Sequence, residues 1–275
     1  MRVISFTPQA ASRVASFTMD WMLRLLRRPR IFGMMQKSVI GLALLFTLQW
    51  TFAQDFQKTY DLPAGGHILI GNVLGDIKVS GYSGKSVEIR AVKKGPERDA
   101  IQIQDHSFGN RIELLTLFPQ FHSHTSTVDF EVRVPASVDY NFTRISSFGG
   151  NVEVSGVGGR LRAESVRGNI EIRDVRGLVS AKSVSGNVNV EIARGQVPTH
   201  MRFTSISGNI DVSAPQKLDA VVDMSSASGL LRTDFPIDIQ ERRYGPGRTA
   251  RGRLGSGGRV LSISSVSGRV SLIQK

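Results

Sequence analysis

An eight-residue motif recurs six times in the second half of the chain, and its spacing constrains the fold more than any other feature. Two of the copies read SVSGNVNV and SISGNIDV. The glycines of the six octets are Gly150, Gly168, Gly186, Gly208, Gly229 and Gly268. A diverged copy, GNVLGDIKV, adds Gly75. Fainter glycines lie midway between the first octets, at Gly159, Gly177 and Gly195, so the underlying step is nine residues.

Nine residues accommodate one short strand and one turn, but no helix. After each glycine, apolar and polar residues alternate, as in Val152, Glu153 and Val154. This period of two predicts strands with one buried and one solvated face. We expect the glycine to adopt the positive φ of a sharp corner, which the asparagine that often follows also tolerates.

Two all-β architectures fit this pattern. In a β-solenoid, a stack resembling a single-stranded β-helix, two nine-residue steps make each coil and the coils stack in register. In an antiparallel β-sandwich, Gly-Asn would instead mark hairpins. The octets resemble each other more strongly at eighteen residues than at nine, which favours the solenoid. In such a stack, like residues lie ~4.8 Å apart, so serines and asparagines can form ladders.

The N-terminal region has a different character and predicts export. Residues 34–53 contain one lysine, an apolar stretch of about ten residues and small residues before a cleavage point, which is typical of a secretory signal peptide. We expect cleavage between Ala53 and Gln54. An uncleaved anchor and a twin-arginine signal at Arg27 and Arg28 are alternatives, although the apolar stretch is short for a membrane span. Residues 1–33 precede a second plausible start and are interpreted as an upstream extension.

The predicted mature domain covers residues 54–275. Residues 54–145 form an irregular N-terminal part. Its sequence predicts strands, which cap the solenoid or continue it. Residues 146–275 carry the octets. Between the fifth and sixth octets lies a predicted basic loop, residues 241–259.

Charge and cysteine content narrow the functions that remain. The chain contains no cysteine, which excludes disulfides, thiolate metal sites and cysteine nucleophiles. Removal of residues 1–53 takes away seven basic residues and one acidic residue, which halves the net charge of +12. Much of the remaining charge lies in the loop, whose candidate polymer-binding residues are Arg242, Arg243, Arg248, Arg251 and Arg253. These arginines suggest an alternative function as a binder of anionic polymers. Nucleic acid is not expected, because Tyr244 is the only aromatic residue in this loop.

Catalytic and metal sites have weaker signals. A serine nucleophile needs a base within hydrogen-bond reach, and the histidines lie outside the octets. The outward residues Glu153 and Glu171 would lie one coil apart and could resemble the carboxylate pair of a glycosidase. This pair is the basis of a second alternative function, that of a carbohydrate-active enzyme. His122 and His124 share a strand face, but zinc needs at least a third protein ligand. No catalytic residue, cofactor or metal is therefore predicted.

The GDIKV block, the strand ending in VRVPASVDYNFT and the serial octets together resemble the bacterial adhesin-domain family of the DUF4097 type. The resemblance covers about Phe56 to the C-terminus, although the copies at Gly229 and Gly268 depart from the family's Gly-Asp or Gly-Asn pair. It implies an exported, non-enzymatic, β-solenoid-like protein of the cell envelope, in the periplasm or at the cell surface. The expected partner is an envelope protein or polysaccharide, and no stable membrane span is expected after signal cleavage.

Overall fold

Short strands make up almost all of the regular structure. The computed structural model describes residues 56–119, 125–192, 199–241 and 245–275. The irregular N-terminal part holds β1 (Phe56–Tyr60), β2 (His67–Asn72), β3 (Ile77–Tyr82), β4 (Val87–Lys94), a 3-10 helix (Arg98–Ala100), β5 (Gln102–Asp105), β6 (Arg111–Leu117) and β7 (Thr127–Pro135). The regular coils contain β8 (Asp139–Ser147), β9 (Val152–Ser155), β10 (Gly158–Ser165), β11 (Ile170–Arg173), β12 (Leu178–Ser183), β13 (Val188–Glu191), β14 (His200–Ser205) and β15 (Ile210–Ala214). The remaining strands are β16 (Ala220–Ser226), β17 (Leu231–Thr233), β18 (Ile239–Glu241), β19 (Arg248–Leu254), β20 (Val260–Ser265) and β21 (Val270–Gln274).

The strands form two sheets, and each coil contributes one strand to each of them. Sheet A has the order β1-β4-β7-β3-β9-β11-β13-β15-β21-β17, and sheet B has the order β18-β19-β16-β20-β14-β12-β10-β8-β2-β6-β5. Successive coils pair in parallel and in register, so that Glu171 lies between Glu153 and Asn189. The predicted β-solenoid is confirmed, because a sandwich would pair these strands antiparallel.

The core lies between the two sheets and consists of apolar columns that run along the stack. One column of sheet A consists of residues that are all fully buried: Ile77, Val152, Ile170, Val188, Ile210 and Val270. In sheet B, Ala181 lies beside Phe203 in the same way. Each large aliphatic side chain buried there contributes about 1.5–3 kcal/mol of transfer free energy. The alternation in the sequence thus fixes which face of every strand points inward.

Each octet forms the corner between a strand of sheet B and the next strand of sheet A, and its glycine is required by close contact. The expected positive φ is wrong for the six octet glycines, since among the described residues they lack it. A Cβ on Gly168 would instead lie 1.9 Å from the carbonyl oxygen of Gly150 in the neighbouring coil. Positive φ occurs at Gly75 and, at the opposite corner of the coil, at Gly159 and Gly177. Close approach of two backbones leaves no room for a side chain.

A ladder of side-chain amides follows these glycines along the stack. The backbone N–H of Asn169 donates to Asn151 Oδ1, and that of Asn187 donates to Asn169 Oδ1, both at 2.9 Å. The same bond continues along the stack to the backbone N–H of Arg269. At the other end, Asp76 accepts from the N–H of Asn151 at 2.8 Å. The ladder satisfies one backbone donor at each corner from Asn151 to Arg269.

The coils do not stack in chain order. Strands β20 and β21 lie between the coil of β14 and β15 and the coil of β16 and β17. At the other end, β2 and β3 lie between β8 and β9 on one side and β6 and β7 on the other. Antiparallel strands cover both ends of sheet B: β18 and β19 beyond β16, and β5 beyond β6. Covering the outer strands limits edge-to-edge association.

One carboxylate joins the two sheets at the end of the stack that holds β1 and β5. Asp105 of sheet B accepts hydrogen bonds from Lys58 Nζ at 2.6 Å and the Tyr60 hydroxyl at 2.9 Å, both in sheet A. Partial burial raises the pKa of Asp105, but hydrogen bonds from Lys58, Ser107 and Tyr60 outweigh burial and lower it to about 2. Burial raises the pKa of Tyr60, so this hydroxyl remains a donor at neutral pH.

Replacing Gly168 with alanine tests the contact between coils. We expect Gly168→Ala to lower the free energy of unfolding by about 2–3 kcal/mol, because the new Cβ forces two backbones apart. Gly109→Ala is the control, since its φ is +57° and no atom lies within 4 Å of the added Cβ. It should cost only about 1 kcal/mol, the strain of a left-handed backbone. Chemical denaturation measures both, and an equal or smaller loss at Gly168 would contradict the contact.

Replacing Asp105 tests the bond between the sheets. Asp105→Asn should lower the free energy of unfolding at neutral pH by about 1–2 kcal/mol, because a charged acceptor is lost. The folded pKa of about 2 lies below the ordinary value of 3.8, so this stabilisation is complete above the ordinary value and disappears as the pH falls through the folded value. Denaturation of the wild type and of Asp105→Asn across the acid range measures how their free energies of unfolding converge. Asp99→Asn, at an exposed carboxylate, is the control. A difference in the free energy of unfolding between the wild type and Asp105→Asn that persists in acid would argue against the bond between the sheets.

Candidate functional site

The octet serines are buried structural groups. Ser183 ends β12, and its Oγ accepts a hydrogen bond from the N–H of Gly186 at 2.9 Å. The same Oγ donates to the carbonyl oxygen of Gly168 in the neighbouring coil at 3.4 Å. The other octet serines, Ser147, Ser165, Ser205, Ser226 and Ser265, are likewise buried and each donates to a glycine carbonyl. These bonds use the hydroxyl as a bridge between coils, which leaves it unsuited to attack a substrate.

The two candidate glycosidase carboxylates lie side by side on the outer face of sheet A. Glu153 and Glu171 are partners in the parallel register of β9 and β11. Glu153 forms an ion pair with Lys78 at 3.4 Å, and Glu171 forms one with Arg173. A depression of about 410 Å³ lies above them and is lined largely by polar and charged side chains. The geometry brings the two acids together, but it pairs each with a cation of the same face.

The histidine pair and the signal segment lie outside the described residues. This holds for His122 and His124, and for residues 34–53 with the cleavage point at Ala53 and Gln54. Within the described ranges, no group of three histidine or acidic residues could hold a metal ion. Likewise, no described helix is long and apolar enough to cross a membrane.

The predicted basic loop contains a strand. Arg248, Arg251 and Arg253 lie on β19, which pairs antiparallel with β16, whereas Arg242 and Arg243 lie outside the described residues. Arg248 forms an ion pair with Glu241 at 3.0 Å, and Arg251 forms one with Asp223 at 3.2 Å. Two of the three described candidate arginines are therefore paired with carboxylates.

The turn that follows β19 is held by one acid. Asp219 accepts hydrogen bonds from the Ser256 hydroxyl at 2.8 Å and the N–H of Gly257 at 2.6 Å. These bonds, the Ser256 hydroxyl first, lower the pKa of Asp219. Arg259 lies 3.9 Å from the same carboxylate. This turn returns the chain from the capping strand β19 to β20, inside the stack.

A groove of about 1020 Å³ crosses the outer face of sheet B, over β10, β12, β14 and β20. Four of its long side chains are basic, Arg160 and Arg162 on β10, Lys182 on β12 and Arg202 on β14, and Glu164 on β10 is acidic. Its floor holds small and apolar residues, among them Ser180 and Leu178. This surface was not predicted from the sequence, because the octets point only to the outward residues of sheet A. The only available signal was the run of basic residues at alternate positions, GRLRA from Gly159.

These features define a class of protein: a two-sheet β-solenoid whose repeated polar residues hold the coils together. Residues 119–272 match the family model described as Toastrack DUF4097. Since this match covers more than half of the chain, the chain belongs to that family, which confirms the resemblance drawn from the octets.

Two solved structures are similar to the chain. One is a putative cell adhesion protein from Clostridium sporogenes, 10% identical, with a TM-score of 0.42, covering 80% of this chain and 99% of that chain. The other is a putative adhesin from Bacteroides fragilis, 14% identical, with a TM-score of 0.41, covering 80% of this chain and 96% of that chain. None of the curated proteins matches the sequence.

Two serines of one octet provide a matched test of the structural role. Ser183→Ala should lower the free energy of unfolding by about 1–3 kcal/mol, because the buried N–H of Gly186 loses its acceptor. Ser185→Ala removes an exposed hydroxyl that donates to the carbonyl of Val166, and it should cost less than about 0.5 kcal/mol. Thermal or chemical denaturation distinguishes the two, and equal losses would contradict the bridging role.

Proposed function

We propose that this chain is an exported, non-enzymatic interaction protein of the bacterial cell envelope, in the periplasm or at the cell surface. Its solenoid presents two sheet faces to an envelope protein or polysaccharide, and it requires no cofactor. The strongest support is the use of the first serine of every octet as a buried bridge between coils, which removes these repeated hydroxyls from chemistry. The pairing of Glu153 with Lys78 and of Glu171 with Arg173 supports the same conclusion for the outer face of sheet A.

Export is supported by the segment 34–53, with its single lysine, apolar stretch and small residues near Ala53. The domain that follows requires no cytoplasmic reductant, because the chain has no cysteine. A solenoid face offers many like positions in a row, which suits extended partners better than small molecules. An adhesin-like role in the envelope follows from these properties together.

Fractionation of the native host tests export. We expect the protein in the periplasmic or surface fraction, with Gln54 as its first residue by mass spectrometry of the N-terminal peptide. Ala53→Lys should leave the segment attached, because signal peptidases require a small residue at that position. An uncleaved wild-type chain in the cytoplasm would overturn the proposal.

The same preparation tests the enzyme alternative. Incubated with purified envelope glycans, the wild-type protein should release no new reducing ends. Glu153→Gln and Glu171→Gln should behave in the same way as the wild type. Glycan cleavage that either variant abolishes would replace the interaction role with catalysis by this pair of acids.

A further inference from the structure

The outer faces of the two sheets differ in charge. On β8, β10, β12 and β14 the exposed face of sheet B carries five cations: Arg144, Arg160, Arg162, Lys182 and Arg202. Glu164 opposes them in the groove, and it pairs with Arg162 at 2.7 Å. Within the described ranges, Arg144, Arg160, Lys182 and Arg202 have no carboxylate within ion-pair distance. The face of sheet B therefore carries an uncompensated positive charge.

The face of sheet A is closer to balance. Its cations Lys78, Arg173 and Arg269 each pair with a carboxylate of the same face, Arg269 with Asp211 at 3.4 Å. On the edge strand β17, Arg232 is exposed, and no described carboxylate pairs with it. Since both faces belong to the same coils, the difference in charge between them arises from their outward residues alone. Exposed cations without partners attract anions at long range and at modest salt.

The cations of sheet B repeat at a fixed interval along the stack. In parallel register, Arg162, Ser180 and Arg202 occupy consecutive coils, so two arginines in one column are separated by one serine. With ~4.8 Å between strands, the two Cα atoms lie roughly 10 Å apart. Arg160 and His200 stand in the same relation across Leu178. In this column the arginines recur on alternate coils, while Lys182, on the coil between them, lies two residues further along β12.

The floor of the groove is suited to sugar rings. Ser180, Ser262 and Thr204 offer hydroxyls between the cations. Ile206 and Val266, exposed to 47% and 51%, add apolar surface at the corner. Sugar rings combine hydroxyl groups with apolar C–H faces, so both kinds of contact are available to them.

We propose that the outer face of sheet B binds an acidic polysaccharide with one carboxylate in each disaccharide, its chain lying along the stack across β10, β12, β14 and β20. Carboxylates on alternate sugars match the spacing of Arg162 and Arg202, and Lys182 on the coil between them adds a further cation to the groove. The hydroxyls and apolar side chains of the floor contact the sugar between them. The assignment rests on the proposed function, since only an envelope protein meets such polymers.

Nucleic acid fits this face less well. Binding of single strands relies on aromatic side chains that stack on bases. Phe203, on β14 under the groove, is buried in the core. The groove instead presents regularly spaced cations over a floor of hydroxyl and aliphatic groups.

The test uses the purified protein and hyaluronan fragments of defined length, in which uronate alternates with a neutral sugar. Wild-type protein should bind, with affinity that falls as salt is raised. The triple variant Arg160→Gln, Lys182→Gln and Arg202→Gln should bind about tenfold more weakly or worse. The matched control Lys78→Gln, Arg173→Gln and Arg269→Gln removes the same charge from sheet A and should bind like wild type.

Each other outcome overturns either the assignment or the proposed function. Equal weakening in both triple variants would show attraction to net charge alone. Tighter binding to single-stranded DNA or to anionic phospholipid vesicles than to hyaluronan would indicate another class of partner. Absence of hyaluronan binding, from a protein that fractionation finds processed at Gln54, would reject the groove and leave the proposed function standing. Binding by a protein that stays unprocessed in the cytoplasm would reject the proposed function instead.

Discussion

The contact between the backbones of successive coils is the constraint on which the rest of the structure depends. At each octet corner a glycine lies against the carbonyl oxygen of the glycine in the next coil, with no space for a Cβ between them. That contact sets the spacing at which Ser183 reaches Gly168 and the amide of Asn169 reaches Asn187. Because these bonds recur from coil to coil, the apolar columns stay aligned along the stack.

Much of this architecture is visible in the sequence. The nine-residue step and the alternation around residues such as Glu153 predict strands, inward faces and the solenoid. The positive φ that the sequence suggests for the octet glycines is wrong, and close contact with the next backbone is the actual cause. A sequence shows that a side chain is absent, but it does not show whether φ or a neighbouring backbone requires that absence. The order of the coils could not be predicted, since octets that are nearly alike contain no signal for which of them become neighbours.

The candidate sites also differ in whether the repeat predicts them. The sequence identified Glu153 and Glu171 correctly as neighbours, because their register follows from the repeat. It could not show that Glu241 and Asp223 pair with Arg248 and Arg251, since β18, β19 and β16 meet only through antiparallel pairing outside the repeat. The cations of sheet B belong to the half of each coil in which the repeat is least regular, so only the folded register places them in one row.

The insertion of β20 and β21 inside the stack determines when the molecule can be completed. The strands β14 and β16 precede β20 in the chain, yet both pair with it. Such long-range closure is slow compared with the stacking of adjacent coils. In a chain that emerges from a ribosome or a membrane pore, the position between β14 and β16 therefore stays empty until β20 and β21 have passed through. The last two strands, β20 and β21, therefore complete both sheets of the solenoid.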